Sequence, residues 1–366
     1  MPDALVSPAG PGDRPLVVVM DARMARRRRT GVATYVNGLI PALAALGEPV
    51  TVHAVHGPPP LPRRNALTSV GNLLLDLAWT HVMLPALALR HRADVLHATF
   101  NWAPAWCPRP VVVTIHDLAW EVMPEAYPGG FRRFASLFTR LSARRAQRII
   151  AVSRSTRDDL VQRYGVAPDR VAVVYTGIAP RRPADEHPEH VILAVGEYEP
   201  RKRVPDLVEA HRRYLRDAPP QPAPCTLVLA GAGGADEARV RAMAGPGCRV
   251  AGFVSDDELD RLYRCATLFV CNSAYEGFGL PVAEAAGAGC PVLVADTPAL
   301  REAGGPEALV VDGDGPEALA AALRDALADR AALRARGAGL RAHARTLSWE
   351  ACAAGTLAAY RAVVRT

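Results

Sequence analysis

Short apolar runs and helical patterns alternate along most of the chain. The first run, Leu16–Met20, is rich in β-branched residues and predicts a buried strand. Further strands are predicted at Val50–Val55, Val95–His97, Val111–Ile115, Arg148–Val152 and Val171–Tyr175. Helical patterns separate most of them, notably at residues 32–46, 67–89 and 131–145. Such alternation is typical of a parallel sheet covered by helices on both faces.

The alternation stops between Gly177 and His190, where three prolines and several charges predict an interdomain linker. It then restarts with strands at Val191–Val195, Thr226–Ala230, Arg249–Phe253, Leu268–Cys271, Pro291–Ala295 and Ala308–Val311. Helices are predicted at 204–216, at 281–288 and from residue 316 onward. The pattern therefore predicts two consecutive open α/β sheets. Because ligands of such sheets bind at the carboxyl ends of the strands, a cleft between the two domains is the expected site.

Composition narrows the class of protein and of partner. Half of the 366 residues are hydrophobic and 22% are charged, which is typical of a soluble globular protein. The net charge of +6 and a pI near 9.1 favour acidic partners such as phosphates or anionic membrane surfaces. Aromatic residues make up only 6%, and no zinc-finger or RNA-recognition signature is present, so no nucleic-acid partner is expected.

Three further features bear on location. The seven cysteines show no metal-ligand spacing and predict free thiols in a reducing compartment. The first fifteen residues lack the apolar stretch of a signal peptide. The Leu- and Ala-rich segment 73–89 is better explained by a buried helix than by a membrane anchor. We therefore expect a cytoplasmic protein, with peripheral contact at the inner membrane face as an open alternative.

The most informative motif is Tyr275–Glu284. Glu276 and Glu284 flank a Gly277-Phe278-Gly279-Leu280 turn, and Pro281 is predicted at the first position of a helix. The N–H groups of such a helix start favour an anion, so a diphosphate is expected there with hydroxyl groups bound by the two carboxylates. The alternative is an ordinary loop that enters an amphipathic helix and carries two solvated acids.

Two basic residues, Arg201 and Lys202, follow a predicted strand and a Glu-Pro turn. An Arg fork beside a Lys point charge suits a diphosphate leaving group, whose negative charge grows as the sugar bond breaks. A solvated basic pair at a helix start is the alternative.

Two residues of the first half are also candidates. Gly31 precedes a helix and follows the basic loop Arg26–Arg29, so its backbone can approach a phosphate closely. The loop itself either attracts an anionic acceptor or membrane, or is simply solvated. His116 ends an apolar strand and is expected to project into the cleft, whereas His97 is expected to be structural.

The chain resembles glycosyltransferase family 4, whose members are retaining enzymes with the GT-B fold. The resemblance rests on motifs in order along nearly the whole chain: Thr30-Gly31, Thr114–Asp117, Ile150–Ser153, Val174–Gly177, Gly196–Lys202, Gly252–Ser255, Glu276–Glu284, Gly289–Val292 and Ser348–Glu350. It implies a nucleotide diphosphate sugar as donor, a hydroxyl acceptor and no metal or other cofactor. Among family members the motifs are most similar to bacterial mannosyltransferases, which makes GDP-mannose the favoured donor.

The resemblance also implies a division of labour. Residues 1–15 would be a disordered tail, 16–178 an acceptor-binding Rossmann-like domain, 179–345 a nucleotide-sugar-binding domain, and 346–366 a helix returning to the first domain. Glu284 would bind the ribose and Val254 the base, while Glu276 and residues 277–280 would contact the transferred sugar and diphosphate. Arg201 and Lys202 would stabilise the leaving group. His116 would contact the sugar.

Some residues depart from the family pattern or invite other functions. Glu197 stands where some members carry Arg, Asn272 where Pro is usual, and Arg203 where Asn is frequent, which leaves the donor open. Asp312-Gly-Asp314 has a metal-binding form but lies in a late acidic turn, so no metal site is predicted. The acceptor, a glycolipid, polysaccharide or secondary metabolite, also stays open. The alternatives are a nucleotide-sugar epimerase and a non-catalytic anion-binding protein.

Overall fold

A computed structural model of the chain describes residues 5–6, 14–26, 30–62, 66–184, 189–217 and 223–364. The strands are β1 Leu5–Val6, β2 Leu16–Asp21, β3 Val50–Val55, β4 Val95–Ala98, β5 Val111–Ile115, β6 Arg148–Ala151, β7 Val171–Val173, β8 Val191–Val195, β9 Thr226–Ala230, β10 Cys248–Gly252, β11 Leu268–Cys271, β12 Val292–Val294 and β13 Leu309–Val310. The α-helices are α1 Gly31–Ala45, α2 Ala66–Ala78, α3 Leu84–Arg90, α4 Ala119–Val122, α5 Gly129–Arg145, α6 Arg154–Tyr164, α7 Val204–Asp217, α8 Glu237–Met243, α9 Asp256–Cys265, α10 Leu280–Ala288, α11 Pro298–Gly304, α12 Gly315–Ala328, α13 Arg330–Ala335, α14 Gly337–Ala344 and α15 Trp349–Val364.

The chain divides into two compact units. Unit 1 comprises the residues up to Gly177 together with those from Trp349 onward, and unit 2 comprises Ile178–Ser348. The helix predicted at the C-terminal end, α15, therefore belongs to unit 1.

Unit 1 is built on a seven-stranded sheet with the order β1-β3-β2-β4-β5-β6-β7. All neighbouring strands are parallel except β1 and β3. A hydrophobic cluster lies on each face of this sheet. Val18 of β2 packs in one cluster and Val19 packs in the other, because alternate side chains of a strand point to opposite faces of the sheet. Both faces are thus covered, as the continuous apolar runs predict. On the Val18 side, α15 supplies Leu357 and the buried Tyr360.

The N-terminal segment 1–15 is not uniformly the tail that the sequence predicts. Leu5 and Val6 form an antiparallel strand opposite Val52 and Thr51 of β3, because two apolar residues can add backbone hydrogen bonds to that sheet edge. Residues 1–4 and 7–13 lie outside the described residues.

The helical pattern predicted at 67–89, of which 73–89 was expected to be buried, is a run of α2, a π-helical turn at Trp79–Met83, and α3. The expectation of burial is wrong for much of it. One face packs inward through Trp79, Leu84 and Ala88. Over the apolar stretch Val70–Arg90, however, only 28% is buried, and this stretch is long and apolar enough to cross a membrane by length and composition.

Unit 2 contains a parallel six-stranded sheet with the order β10-β9-β8-β11-β12-β13. Strands β9 and β10 lie on one side of β8 in the sheet, and the later strands β11, β12 and β13 lie on its other side. The junction of β8 and β11 is therefore the topological switch point, where open α/β sheets bind ligands. The strand predicted at Arg249–Phe253 ends one residue early, because Gly252 turns the backbone at φ +70°.

Candidate functional site

Two loops meet at the carboxyl ends of β8 and β11. The first runs from Gly196 through a 3₁₀ turn at Pro200–Lys202 into α7, and the second runs from Asn272 to Gly279 before α10. A backbone hydrogen bond of 2.7 Å from Ala274 N to Arg201 O ties the loops together. The switch point therefore holds most of the candidate residues that the sequence indicates, namely Arg201, Lys202, Glu276, Gly277, Phe278, Gly279 and Leu280.

Glu276 is the charged centre of this site. One carboxylate oxygen lies 2.7 Å from Arg201 Nη1, and the other accepts a hydrogen bond of 2.9 Å from the Ser273 hydroxyl. Burial raises the pKa of the Glu276 carboxyl, but the charges of Arg201 and Lys202 outweigh burial, so that its pKa lies below the ordinary value. Glu276 is thus a carboxylate at neutral pH, able to accept hydrogen bonds from sugar hydroxyls.

Arg201 links the two loops through its guanidinium group. Its Nε lies 2.8 Å from a carboxylate oxygen of Glu199, and its Nη1 also donates to the Tyr275 carbonyl oxygen at 3.2 Å. Because the guanidinium fork serves two carboxylates and one carbonyl, Arg201 positions Glu276 as well as contributing positive charge.

Lys202 is the exception among the basic residues. Of the 43 lysine and arginine residues in the chain it is the only lysine. Its Nζ lies against Gly196, and within the described ranges no carboxylate is within ion-pair distance of it. Three ammonium donors are therefore available to an anion. Its uniqueness is a second sequence signal for Lys202, because a lysine ammonium is a compact point charge that the arginines of the chain do not provide.

The first turn of α10 adds backbone donors. Gly279 caps the helix at φ +95°, a conformation that favours glycine, and a Cβ there would lie 2.8 Å from Leu300 Cδ2. The helix begins at Leu280, so Pro281 occupies its second position rather than the predicted first. Phe278 is buried and anchors the turn. The positive end of the helix dipole thus lies beside the β11 loop.

Glu284 lies on α10 and is held by two residues that sequence reasoning did not select. Its carboxylate oxygens lie 2.9 Å from Arg181 Nη2 and 2.9 Å from the Tyr263 hydroxyl oxygen. The Arg181 guanidinium also stacks over the Tyr263 ring at 4.8 Å. Arg181 falls in the Pro-rich linker and carries no motif, so only the fold reveals its role in orienting Glu284.

Asn272 lines the same pocket as Gly196, Lys202 and Ser273. Its side chain is buried, and among the described residues its Nδ2 has no hydrogen-bond partner. An unpaired buried amide costs about 1–3 kcal/mol, which a ligand oxygen or a water molecule would offset. The departure from the family's usual proline therefore places an additional donor in the pocket.

Three other residues of unit 2 that the sequence singles out lie on its loops. Val254 is half-buried between β10 and α9, two residues beyond the strand end. Glu197, whose carboxylate would repel a nearby phosphate, is exposed to solvent. The adjacent Tyr198 is buried. Asp314 of the DxD-like turn forms an ion pair with Arg203.

Gly31 and His116 belong to unit 1. Gly31 is the first residue of α1, which Thr30 caps by accepting a 3.2 Å hydrogen bond from Ala33 N. A Cβ on Gly31 would meet nothing within 4 Å, so packing does not explain the glycine. Residues 27–29 of the basic loop lie outside the described residues.

His116 follows β5, and its ring packs edge-on against Tyr35 of α1 at 5.1 Å. Its Nε2 donates to the Thr99 carbonyl oxygen at 2.9 Å, which makes Nδ1 the acceptor of the neutral ring. Burial lowers the pKa of His116 to about 4, against an opposing effect of the Thr99 hydrogen bond. The ring is therefore neutral at physiological pH and suits hydrogen bonding rather than charge.

His97 is fully buried in unit 1. It is hydrogen-bonded to the Tyr360 hydroxyl at 2.7 Å and to the Thr114 hydroxyl at 2.8 Å. Both ring nitrogens are thus occupied within the core, as expected of a structural histidine.

Comparison with known proteins agrees with this geometry. Residues 29–182 match the family model described as Glycosyltransferase Family 4, and residues 189–329 match the one described as Glycosyl transferases group 1. The chain is 29% identical over 302 residues to the O-antigen chain mannosyltransferase B of Escherichia coli, covering 77% of this chain and 78% of that protein. It is 33% identical over 239 residues to the D-inositol 3-phosphate glycosyltransferase of Rhodococcus opacus (strain B4), covering 59% of this chain and 53% of that enzyme, about half its length.

Solved structures share the fold at lower identity. Sucrose-phosphate synthase from Thermosynechococcus elongatus matches with a TM-score of 0.74 and 21% identity, over 96% of this chain and all (100%) of that one. Anabaena HepE in complex with UDP-glucose matches with a TM-score of 0.67 and 18% identity, over 93% of this chain and 99% of that one. Together, the two family matches, the relatives and the fold show that the chain is a glycosyltransferase of family 4 with the GT-B fold.

Proposed function

We propose that the chain is a retaining, metal-independent glycosyltransferase that transfers mannose from GDP-mannose to a hydroxyl acceptor. As a member of this glycosyltransferase family, the chain transfers a sugar from a nucleotide sugar. The donor, the stereochemistry, the metal independence and the acceptor are the parts that we propose.

One observation carries the proposal. Lys202, the only lysine, places an ammonium without an ion-pair partner in the described structure against Gly196, at the switch point of unit 2. A diphosphate bound there would meet this charge and the N-terminal turn of α10. As the sugar–phosphate bond breaks, the ammonium and the helix dipole stabilise the departing charge, which is the task of a metal ion in metal-dependent enzymes.

The carboxylates would hold the two ends of the donor. Glu276, ionised and anchored by Arg201, would accept hydrogen bonds from hydroxyls of the transferred sugar. Glu284, oriented by Arg181 and Tyr263, would accept from the ribose. Val254 would border the base.

Unit 1 would contribute to sugar and acceptor binding. The neutral His116 offers Nδ1 as a hydrogen-bond acceptor for a sugar hydroxyl, and Gly31 leaves the start of α1 open to a ligand. The candidate residues include no obvious covalent nucleophile. We therefore propose that the leaving phosphate takes the proton of the acceptor hydroxyl on the same face of the sugar, which retains its configuration.

GDP-mannose is favoured because the E. coli relative is named a mannosyltransferase. The HepE structure with UDP-glucose shows that the same fold also accommodates a uridine donor. For the acceptor we propose a hydroxyl of a growing polysaccharide or of a lipid-linked sugar. All seven cysteines are free thiols, which supports a reducing, cytoplasmic location.

Thermal unfolding with GDP, UDP, TDP and ADP tests the donor. A nucleotide at a hundred times its dissociation constant stabilises the native state by about 2.7 kcal/mol, and GDP should do so most strongly. Incubation with GDP-mannose alone, followed by NMR, should then show slow release of α-mannose that EDTA does not change. A larger effect of another nucleotide would overturn the donor, an epimerised donor sugar would favour the epimerase, and no stabilisation by any nucleotide would contradict the function.

The Gly196→Ala substitution tests the packing around Lys202. A Cβ at this position, where φ is +136°, would overlap the ammonium nitrogen and displace it. Displacement of a catalytic group by about 1 Å can cost about 10²-fold, and we expect turnover to fall by that order. Turnover of the donor and the unfolding midpoint are measured together.

Gly165→Ala is the matched control. Gly165 also has a positive φ, +64°, but a Cβ there meets nothing within 4 Å. It should lose about 1 kcal/mol of stability and no turnover. Equal turnover of the two variants would argue against a role for Lys202 at this position.

A further inference from the structure

An apolar surface with a basic border lies on unit 1 and includes none of the residues proposed to bind the donor. Its apolar members are strongly exposed: Trp106 at 71%, Val82 at 63% and Leu137 at 55%, with Met83 and Leu141 beside them. We call these five residues the apolar patch. Single exposed apolar residues are normal, but five together indicate an interaction surface.

Contacts between their neighbours bring the five residues together. His81, next to Val82, packs against Phe138 of α5 with tilted rings whose centroids are 5.8 Å apart. The His81 Nδ1 accepts a 3.1 Å hydrogen bond from Ala105 N, next to Trp106. Phe138 itself lies between Leu137 and Leu141 on α5, so the π-helical turn, the loop and α5 form one surface.

The elements that carry the apolar patch are mainly basic, although the Glu121 carboxylate accepts a hydrogen bond from Ser136 of α5. Helix α5 contains five arginines and no acidic residue, and Arg132, Arg133, Arg144 and Arg145 are exposed. The stretch Val70–Arg90 holds one carboxylate, Asp76, which Arg23 Nη1 neutralises at 2.8 Å. An apolar face with arginines at its border is the pattern of a helix that lies in the interface of an anionic membrane.

The charge distribution also argues against a second copy as the occupant. A twofold dimer through the apolar patch would place the same surface on itself and bring the α5 arginines of both copies together. Like charges in an interface cost several kcal/mol, whereas anionic lipid headgroups gain from the same residues.

We infer that the apolar patch and the arginines of α5 dock unit 1 on a bilayer that contains anionic lipids. Trp106, Val82 and Leu137 enter the boundary between headgroups and acyl chains, and the arginines lie among the phosphates. This goes beyond the proposed function and does not depend on the identity of the donor. It would hold the enzyme where a lipid-linked acceptor is found.

Co-sedimentation of the full chain with vesicles tests the inference. Vesicles of phosphatidylcholine with about 30% phosphatidylglycerol should bind the protein, pure phosphatidylcholine should bind it at least about tenfold more weakly, and 0.5 M NaCl should release it. The double variant Trp106→Ser/Leu137→Ser should lose at least about tenfold in partitioning. Val364→Ser, which alters an exposed apolar residue of α15 outside the apolar patch, should bind as wild type does.

The charges are tested separately. Arg144→Gln/Arg145→Gln should weaken binding to anionic vesicles about tenfold or more, while Arg216→Gln/Arg239→Gln, exposed on unit 2, should not. Unfolding midpoints and donor hydrolysis should be unchanged in all these variants. Absence of binding to anionic vesicles, equal binding by the Trp106/Leu137 variant, or a dimer in light scattering that this variant abolishes would overturn the inference.

Discussion

Replacing Lys202 with alanine should lower turnover of the sugar donor by about 10²–10³ while the protein stays folded. The loss follows from removing the ammonium that faces the proposed diphosphate, since deleting one preorganised group of this kind costs about 2.7–4 kcal/mol in the transition state. Lys202 is half-buried and has no ion-pair partner among the described residues, so its removal leaves no carboxylate newly unpaired. Initial rates of donor hydrolysis, with an unfolding curve for each variant, provide the measurement.

Two companions sharpen this experiment. Lys202→Arg keeps the charge but not the compact ammonium, and we expect it to recover only part of the rate. Arg212→Ala, on the exposed face of α7, removes a charge whose partner Glu209 is a surface residue three positions away, and should retain full turnover. Full turnover of a folded Lys202→Ala variant would show that another group stabilises the leaving phosphate.

Arg201→Ala should reduce both stability and activity. Arg201 and Glu276 are largely buried, with 17% and 16% of their side chains exposed. Removing Arg201 leaves the Glu276 carboxylate without its closest positive partner, which costs about 3 kcal/mol. Turnover should fall as well, because the β11 loop loses the hydrogen bond from Arg201 to the Tyr275 carbonyl. Urea unfolding at pH 7 measures the stability.

The pH dependence gives a second, sharper readout. In the wild type the pKa of Glu276 lies below 4.5, so this group stabilises the fold above pH 4.5, and the contribution is lost as pH falls through the folded pKa. Without Arg201, burial weighs more heavily and the pKa rises. The stability gap between wild type and variant should therefore narrow as the pH is lowered.

Two further variants test whether the stability loss of Arg201→Ala comes from the buried, unpaired carboxylate of Glu276. Arg201→Ala/Glu276→Gln should regain part of the stability, because no unpaired carboxylate remains. Arg241→Ala breaks an exposed pair with Glu237 on α8 and should change stability by less than about 1 kcal/mol. A stability difference between wild type and Arg201→Ala that stays constant with pH would contradict the assigned role of Arg201. So would an equal loss of stability in Arg201→Ala and Arg241→Ala.

The sequence predicts the sheets better than their surroundings. Buried strands such as Val111–Ile115 and Leu268–Cys271 are found with the predicted bounds, because parallel strands buried on both faces leave continuous apolar runs. The segment 73–89 has the same apolar character, yet its outer face is exposed. Composition alone cannot distinguish an apolar surface that faces the core from one that is exposed, so burial was the wrong expectation there.

The site shows a similar division. The loops carrying Lys202 and Glu276 follow strands, so the rule that ligands bind at the carboxyl ends of strands selects both loops, and the structure brings them together at the switch point. Arg181 and Tyr263 could not be predicted, because they reach Glu284 from distant segments and have no motif of their own. Asn272 is visible in the sequence only as a departure from the family, and its unpaired amide is a property of the folded pocket.

The central claim is that the Lys202 ammonium binds the diphosphate of the donor. Because Lys202 is the only lysine, protein grown with [¹³Cε]lysine gives one labelled side chain, which NMR observes without interference. Saturating GDP should shift that resonance, whereas guanosine, which lacks the diphosphate, should leave it in place. An unchanged resonance under conditions where calorimetry shows GDP to be bound would contradict the claim.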